Sequence, residues 1–523
     1  MPHRADLADL ADLAKALELH KAGRIHEAEP VYRQIIKSEP RNAEALHLLG
    51  LAAHQTGRHE EAATLIHAAL RIEPDCGKYH LNLGCAELAL GRFMTAEASF
   101  LRVLEIDPED ATAHFNLGNA LAAAEKYEDA AEAYQKAHGL DPADPRPPYN
   151  MGKALYALER FTEAAEAYAL ALQADPGFTA AIRNRGLALK AAGRINDAID
   201  CLKTAVSQTP QDPVLHGAYG SALLLAGRFD EGWPENEWRL KKPDYRRLFP
   251  QPLWDGSDLD GRTIMIEAEQ GYGDTIQFIR YAALLKDMGA TVIFHCFPRM
   301  RRLLAGVPGI DLIVQRGEMP PDFDVQAPLM SLPAIFGTTL ETIPAAASYI
   351  SPDEDAVETW KKKLAAYPGL KIGLCWQGDK GFKGDKWRSM PLRHLAPLVE
   401  SRPGDTFISL QAGPAADDIE ALGMENRIHQ NLIEDEGGPD AFILTAPIIR
   451  NLDLVITTDT AVAHLAGALG AKTWVLLQFV PEWRWLMERP DSPWYPTMRL
   501  FRQPAHRDWP AVIADVTAAL KSV

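Results

Sequence analysis

Six prolines, Pro40, Pro74, Pro108, Pro142, Pro176 and Pro210, stand 34 residues apart. A strict period of that length means that one small supersecondary unit is stacked on itself, because a lone unit cannot bury its apolar face. Two further classes keep the register: Ala28, Ala62, Ala96, Ala130, Ala164 and Ala198, and Gly50, Gly84, Gly118, Gly152, Gly186 and Gly220. Small residues at two such positions let a pair of helices cross closely, and the proline stops the second helix before the next unit begins. Turns inside the units fall at Gly57-Arg58, Gly91-Arg92, Gly193-Arg194 and Gly227-Arg228, with Glu125 and Glu159 in place of glycine in the middle units. Phe100, Tyr134 and Tyr168 recur on the second helices and are expected to fill the seams between neighbouring units.

Over residues 9 to 226 this pattern resembles the tetratricopeptide repeat, with six full repeats and one extra helix. The resemblance implies an all-α superhelix whose concave groove holds a peptide or protein. It places Asn82, Asn116, Asn150 and Asn184 along that groove, again 34 apart. A carboxamide both donates and accepts, so such a ladder can grip an extended backbone whatever its side chains. The alternative is that asparagine is merely common at this point of the repeat.

Charge excludes one class of partner. With 54 basic and 71 acidic residues the net charge is −17, which opposes binding to a phosphate backbone, so no nucleic acid is expected. The five cysteines, Cys76, Cys85, Cys201, Cys296 and Cys375, form no close metal-ligand pair and suit a reducing compartment. Acidic residues near the start and polar residues interrupting the apolar stretches give no signal peptide and no membrane span. A cytoplasmic location is expected.

From about Arg262 the period disappears and short β-rich runs alternate with helical stretches, the pattern of parallel sheets with crossover helices. Expected strands are 263–268, 291–296, 311–314 and 325–329, then 372–376, 407–411, 427–432, 454–457 and 473–478, with Ser351-Pro352 as hinge. The aromatic, proline-rich stretch from Trp233 through Trp238 to Trp254 is expected to dock the two halves by packing. Two open α/β lobes leave a crevice at the carboxyl ends of their strands, where ligands bind.

Three motifs reach that crevice. Glu269-Gln270-Gly271-Tyr272-Gly273-Asp274 follows the first strand and opens a helix; Gly271 and Gly273 permit close approach of a substrate, and Asp274 is either a carboxylate facing the crevice or a helix N-cap. It is no dinucleotide fingerprint, since Ile276 stands where the third glycine belongs. Asp459-Thr460-Ala461-Val462-Ala463-His464 follows another strand and starts a helix that Gly470 closes, so free N–H groups at Thr460 to Val462 are expected to point outward toward a phosphate. Trp376-Gln377-Gly378-Asp379-Lys380 leads through Lys383, Lys386 and Arg388 to Ser389, a basic loop able to clamp phosphates.

Together these elements resemble bacterial proteins that fuse tetratricopeptide repeats to a glycosyltransferase domain similar to the lipopolysaccharide heptosyltransferases. The resemblance implies a two-lobed, double Rossmann-like GT-B domain after the repeats: repeats over 1–230, a junction over 231–260, a first lobe over 261–351 and a nucleotide-sugar lobe over 352–523. It puts the catalytic base on Asp274 and donor contacts on Lys386, Arg388, Asp459, Thr460, Ala461, Val462 and His464. Ala461 departs from the glycine usual there. The implied reaction is inverting and uses no metal and no cofactor, the nucleotide-sugar being a substrate; the strings Asp258/Asp260 and Asp322/Asp324 are read as chance. Repeat-linked transferases that modify flagellin share this layout, so the expected partner is an acceptor protein in the groove, with a flagellin the first candidate. The alternatives are a glycan acceptor, or a repeat scaffold with an inactive transferase domain.

Overall fold

The computed structural model describes residues 4–382, 384–430 and 440–522, with side chains from residue 11 onward. Lys383 of the basic loop and the end of the expected strand 427–432 lie outside the described residues. The chain divides into two compact units, Met1–Gln208 and Thr209–Val523.

The first unit is built of paired helices: α1 (Arg4–Lys21), α2 (Ile25–Ser38), α3 (Ala43–Gln55), α4 (His59–Leu70), α5 (Gly77–Ala89), α6 (Phe93–Ile106), α7 (Ala111–Ala123), α8 (Tyr127–Leu140), α9 (Arg146–Ala157), α10 (Phe161–Ala174), α11 (Thr179–Ala191) and α12 (Ile195–Gln208). The periodic glycines do what their size requires. A Cβ on Gly118 would lie 2.6 Å from the Tyr134 ring, and one on Gly152 2.6 Å from Tyr168. Each ring therefore lies on the glycine of its own unit, and the same buried cluster continues through Leu117, Leu121 and Leu155 into neighbouring helices. Burying a side chain of this size is worth about 1.5–3 kcal/mol. The within-unit turn places one residue at positive φ every 34 residues: Gly23, Gly57, Gly91, Gly193 and Gly227 at 72–80°, but also Glu125 at 59° and Glu159 at 61°.

The second unit begins with one more helix pair, α13 (Pro213–Leu225) and α14 (Phe229–Asn236), so the helix expected to stand alone has a partner. Gly220 packs against the backbone of Glu235 and Asn236, and Gly232 against Leu224. The partner was hidden because it has only eight residues and carries Pro234 and Trp233 in place of the repeat's last turn. Trp233 is buried and its Nε1 donates to Thr338 O at 2.7 Å, which ties this pair to the α/β region.

Among the described residues ten strands follow: β1 (Thr263–Glu267), β2 (Thr291–Cys296), β3 (Leu312–Gln315), β4 (Val325–Pro328), β5 (Lys371–Cys375), β6 (Thr406–Ser409), β7 (Ile428–His429), β8 (Leu454–Thr458), β9 (Thr473–Leu477) and β10 (Met498–Arg502). They form two parallel sheets, ordered β3-β2-β1-β4 and β10-β9-β8-β5-β6-β7, on either side of Ser351-Pro352. Read from its other edge, the larger sheet has the doubly wound order, with the chain reversing direction between β5 and β8. In the smaller sheet the reversal lies between β1 and β4. The proline-rich stretch runs beside β4, where Trp254 N donates to Gln326 O at 2.8 Å and Gln326 N to Pro252 O at 3.0 Å. Phe249 from that stretch covers the small core of Met265, Ile293, Val314 and Phe323. The larger sheet buries Ile372, Leu374 and Trp376 against Leu398, Val512 and Val516.

Candidate functional site

The three motifs emerge at the two reversal points, where the backbones of neighbouring strands leave in opposite directions and open a crevice. After β1 the chain turns sharply through Gln270, whose φ is 53°. Glu269 is held there by Arg239, at 3.0 Å, and by Met330 N, at 3.1 Å, so the loops after β1 and β4 share one carboxylate. Helix α15 (Tyr272–Phe278) follows.

The N-cap of this helix is Gly271 and not Asp274, which is its third residue and closes the first turn from inside: Gly271 N donates to its Oδ2 at 2.9 Å. Its other oxygen accepts from Arg484, which also donates to Gln277 and, at 2.6 Å, to Glu482. Arg484 is 7% exposed and lies over the Trp483 ring at 4.6 Å. Burial disfavours its charge, but Glu482, Asp274 and Asp459 outweigh burial and hold the guanidinium protonated. Both carboxylate oxygens of Asp274 are thus engaged, leaving further lone pairs for a hydroxyl proton.

The second motif meets the first. A Cβ on Gly273 would lie 2.9 Å from His464 Cδ2 and 3.6 Å from Ala461 Cα, so only glycine allows α15 to rest on the start of helix Ala461–Ala468. That contact changes one expectation. Asp459, Thr460, Val462 and His464 are each at most 7% exposed and Ala461 is half-buried, so this helix start faces α15 and not open solvent. The spacing of residues along one helix cannot show which other helix crosses it. The Thr460 hydroxyl is 3.2 Å from Thr457 Oγ1 and 3.7 Å from Cys375 Sγ.

His464 Nδ1 is 2.9 Å from the Tyr495 hydroxyl, and its ring stacks on Trp485 at 5.4 Å. Burial, with Arg484, Arg280 and Arg388 adding to it, pushes its pKa well below the ordinary value, so the ring is neutral. The neutral ring has one donor and one acceptor nitrogen, Nδ1 beside the Tyr495 hydroxyl and Nε2 on the Gly273 side. Asp459 is pushed up to about 6 by burial, against the opposing charge of Arg388.

The basic loop divides. Arg388 pairs with Asp385 at 3.1 Å, lies over the Phe382 ring at 4.7 Å, and its charge reaches Asp459 and His464. Lys386 instead lies 4.8 Å over Trp387 and lines a cleft of about 470 Å³ with Gln377, Lys380, Phe382 and Ser389. The loop is anchored to its strand by Gly378 N, which donates to Ser389 Oγ at 2.8 Å, and by the Gln411 carboxamide oxygen, which accepts from Trp376 N and Gln377 N.

In the first unit the asparagines lie on successive first helices, and three of them donate to a neighbouring repeat. Asn82 Nδ2 is 2.7 Å from His47 Nε2, Asn150 donates to Asn119 at 3.0 Å and Asn184 to the Tyr149 hydroxyl at 3.2 Å. Asn116 is half-buried. The Asp-x-Asp strings serve the backbone: Asp258 accepts from Asp260 N and Asp324 from Thr263 N.

Arg484, Gln277, Glu482 and Tyr495 were not singled out in the sequence. The one signal for them is an arginine between two tryptophans, Trp483-Arg484-Trp485, directly after Glu482.

Comparison with known proteins agrees with the repeat period. The family model described as tetratricopeptide repeat matches residues 13–75, 81–145 and 183–232, and a second model of the same description matches 121–184. These residues are tetratricopeptide repeats, a module of protein interaction. Protein FlbA of Caulobacter vibrioides (strain ATCC 19089 / CIP 103742 / CB 15) is 28% identical over 317 residues, 56% of this chain and 52% of that protein. The chain therefore spans about half the length of that curated relative. Among solved structures, MamA from Desulfovibrio magneticus RS-1 is 22% identical, with 32% of this chain and 96% of that chain covered and a TM-score of 0.31. Pseudomonas aeruginosa pilF is 20% identical, with 45% and 99% covered and a TM-score of 0.35. Among the described residues no helix is long and apolar enough to cross a membrane.

Proposed function

We propose that this chain is a glycosyltransferase with two GT-B lobes, moving a sugar with inversion from a nucleotide-sugar to serine or threonine hydroxyls of a protein held by the repeats. The observation that carries the reading is the meeting of Gly273-Asp274, from the first sheet's reversal point, with Asp459, Thr460 and His464, from the second's. In this reading Asp274 accepts the proton of the attacking hydroxyl on a free lone pair while Arg484 keeps the carboxylate aimed. The departing diphosphate is met by the N–H groups at Thr460 to Val462 and by Arg388, with His464 beside them and Lys386 contacting the donor from its cleft. Because α15 covers those N–H groups, donor entry requires the two helix starts to part. The likeness to FlbA supports the reading modestly: it takes in 56% of the chain, more than residues 4–236 alone supply, so it is not confined to the repeats.

The test is thermal stabilisation of the full chain by a panel of nucleotide-sugars, followed by titration of the stabilising one into Lys386→Ala and His464→Gln. Each variant should lose a charge-assisted or neutral hydrogen bond and weaken binding by about 1–3 kcal/mol. A repeat scaffold with an inactive transferase domain is the second reading, favoured by the covered helix start and the doubly engaged Asp274. A panel without any stabilising nucleotide-sugar would select it.

A further inference from the structure

Charge in the repeats is sorted by helix. The first helices α5, α7, α9 and α11 carry Lys78, Arg146, Lys153, Arg183, Arg185 and Lys190, against a single acid, Glu87. Glu87 is 4% exposed and accepts from Thr95 at 3.1 Å on its unit's second helix, so it does not offset them on the surface. The second helices α6, α8, α10 and α12 carry nine acids and three cations. From α5 to α12 the first helices thus form a face of net basic composition.

That face is continuous. α3, α5, α7 and α9 touch in succession, and side chains join the first helices across the steps: Lys78 to Glu44 at 3.7 Å, Arg146 over the Phe115 ring at 5.2 Å, Asn150 to Asn119 and Asn184 to Tyr149. Between the cations lie half-buried apolar groups, Leu81, Phe115, Tyr149, Tyr156 and Leu187. Arg146 is already paired with Asp144. Lys153 and Arg183 have no carboxylate within ion-pair distance among the described residues.

We propose that this face binds an acidic polypeptide segment in extended form, with carboxylates about three residues apart and apolar residues between them; this rests on the reading that the repeats hold the protein acceptor. The spacing follows from helices about 10 Å apart and a strand rise of about 3.3 Å per residue. Carboxylates gain at contact range, whereas the field of a chain of net charge −17 acts against a densely charged polyanion, which favours a peptide over nucleic acid.

The probe is a fluorescein-labelled (Asp-Leu-Ser)4 peptide, compared with (Asn-Leu-Ser)4 and (dT)12 on the full chain by fluorescence anisotropy. The acidic peptide should bind at least tenfold tighter than its asparagine analogue at 50 mM salt, and most of that advantage should vanish at 0.5 M. Lys153→Glu with Arg183→Glu should remove the preference, while Lys136→Glu with Lys203→Glu, on second helices, should leave it intact. If circular dichroism shows the first pair unfolded, Lys153→Ala with Arg183→Ala should still lower affinity at least threefold. Equal binding of the two peptides, equal damage from the second-helix pair, or tighter binding of (dT)12 would each overturn the proposal. Sugar transfer is read separately: peptide binding through this face without any transfer upholds the surface and counts against the transferase, whereas transfer with equal binding of both peptides does the reverse.

Discussion

Asp274 and Arg484, 210 positions apart in the chain, form an ion pair in which the arginine side chain is 8% exposed. The same guanidinium holds Glu482 and Gln277, so one cation fixes the start of α15 against the segment that follows β9. Removing it leaves Asp274, whose side chain is 18% exposed, without its counter-charge. Arg484→Met should therefore lower stability by about 3–5 kcal/mol, and pairing it with Asp274→Asn should recover at least about 1 kcal/mol. Urea unfolding of the two single variants and the double variant checks this. Strictly additive losses would mean that the pair carries no coupling.

For catalysis, Asp274→Asn should leave nucleotide-sugar affinity near normal and slow transfer by about 10²- to 10⁴-fold, the range for a lost general base. Asparagine can still accept from Gly271 N, so the first-turn bond survives. Calorimetry with the donor and single-turnover transfer separate the two effects. Undiminished transfer would reduce Asp274 to closing that turn.

Backbone strain gives a prediction independent of function. Glu125 and Glu159 occupy a left-handed conformation that costs a side-chain-bearing residue roughly 1–2 kcal/mol, part of which glycine regains despite its larger unfolded-state freedom. Glu125→Gly and Glu159→Gly should each raise stability by about 0.5–1 kcal/mol. Gly91→Ala should lower it by about 1 kcal/mol, since nothing lies within 4 Å of the added Cβ and the penalty is purely conformational. Thermal unfolding reads all three; a stabilising Gly91→Ala would refute the strain argument.

The pH dependence follows from two carboxyls that burial pushes up, Asp459 to about 6 and Glu267 to about 7. Between the ordinary carboxyl range near 4 and these values the folded chain keeps protons that the unfolded chain has lost. The contribution of each is therefore complete below pH 4 and declines as pH rises, until about 6 for Asp459 and about 7 for Glu267. Asp459→Asn and Glu267→Gln should flatten that decline in denaturant midpoints measured from pH 4 to 8. An unchanged slope in both variants would remove the assignment.

The repeats were legible because their signals are local and recur: a proline, a glycine and an alanine every 34 residues specify helix ends and crossing points without reference to the rest of the chain. The strands after Arg262 were legible from apolar runs between turn residues, and the structure moves most of their ends by one or two positions. Asp311, expected inside β3, instead accepts from Val292 N and Lys286 just before that strand. β10 was missed because Met498-Arg499-Leu500-Phe501-Arg502 carries two arginines, one of them over the Phe501 ring at 4.6 Å, and alternates as an edge strand does. Gly273, Asp274 and His464 were visible as residues at strand ends, but their covering by one another was not. Arg484 had no motif at all, since what makes it matter is a pairing across 210 positions.

The proposed reaction is transfer of a sugar from a nucleotide to a protein hydroxyl. Mass spectrometry of flagellin and of the (Asp-Leu-Ser)4 peptide, each incubated with the full chain and the nucleotide-sugar that stabilises it, tests it most directly. The expected product carries one added sugar residue per modified serine or threonine, lost on β-elimination and formed at least a hundredfold more slowly by Asp274→Asn. No mass increment on either acceptor with any stabilising donor, or an equal rate with Asp274→Asn, would contradict it.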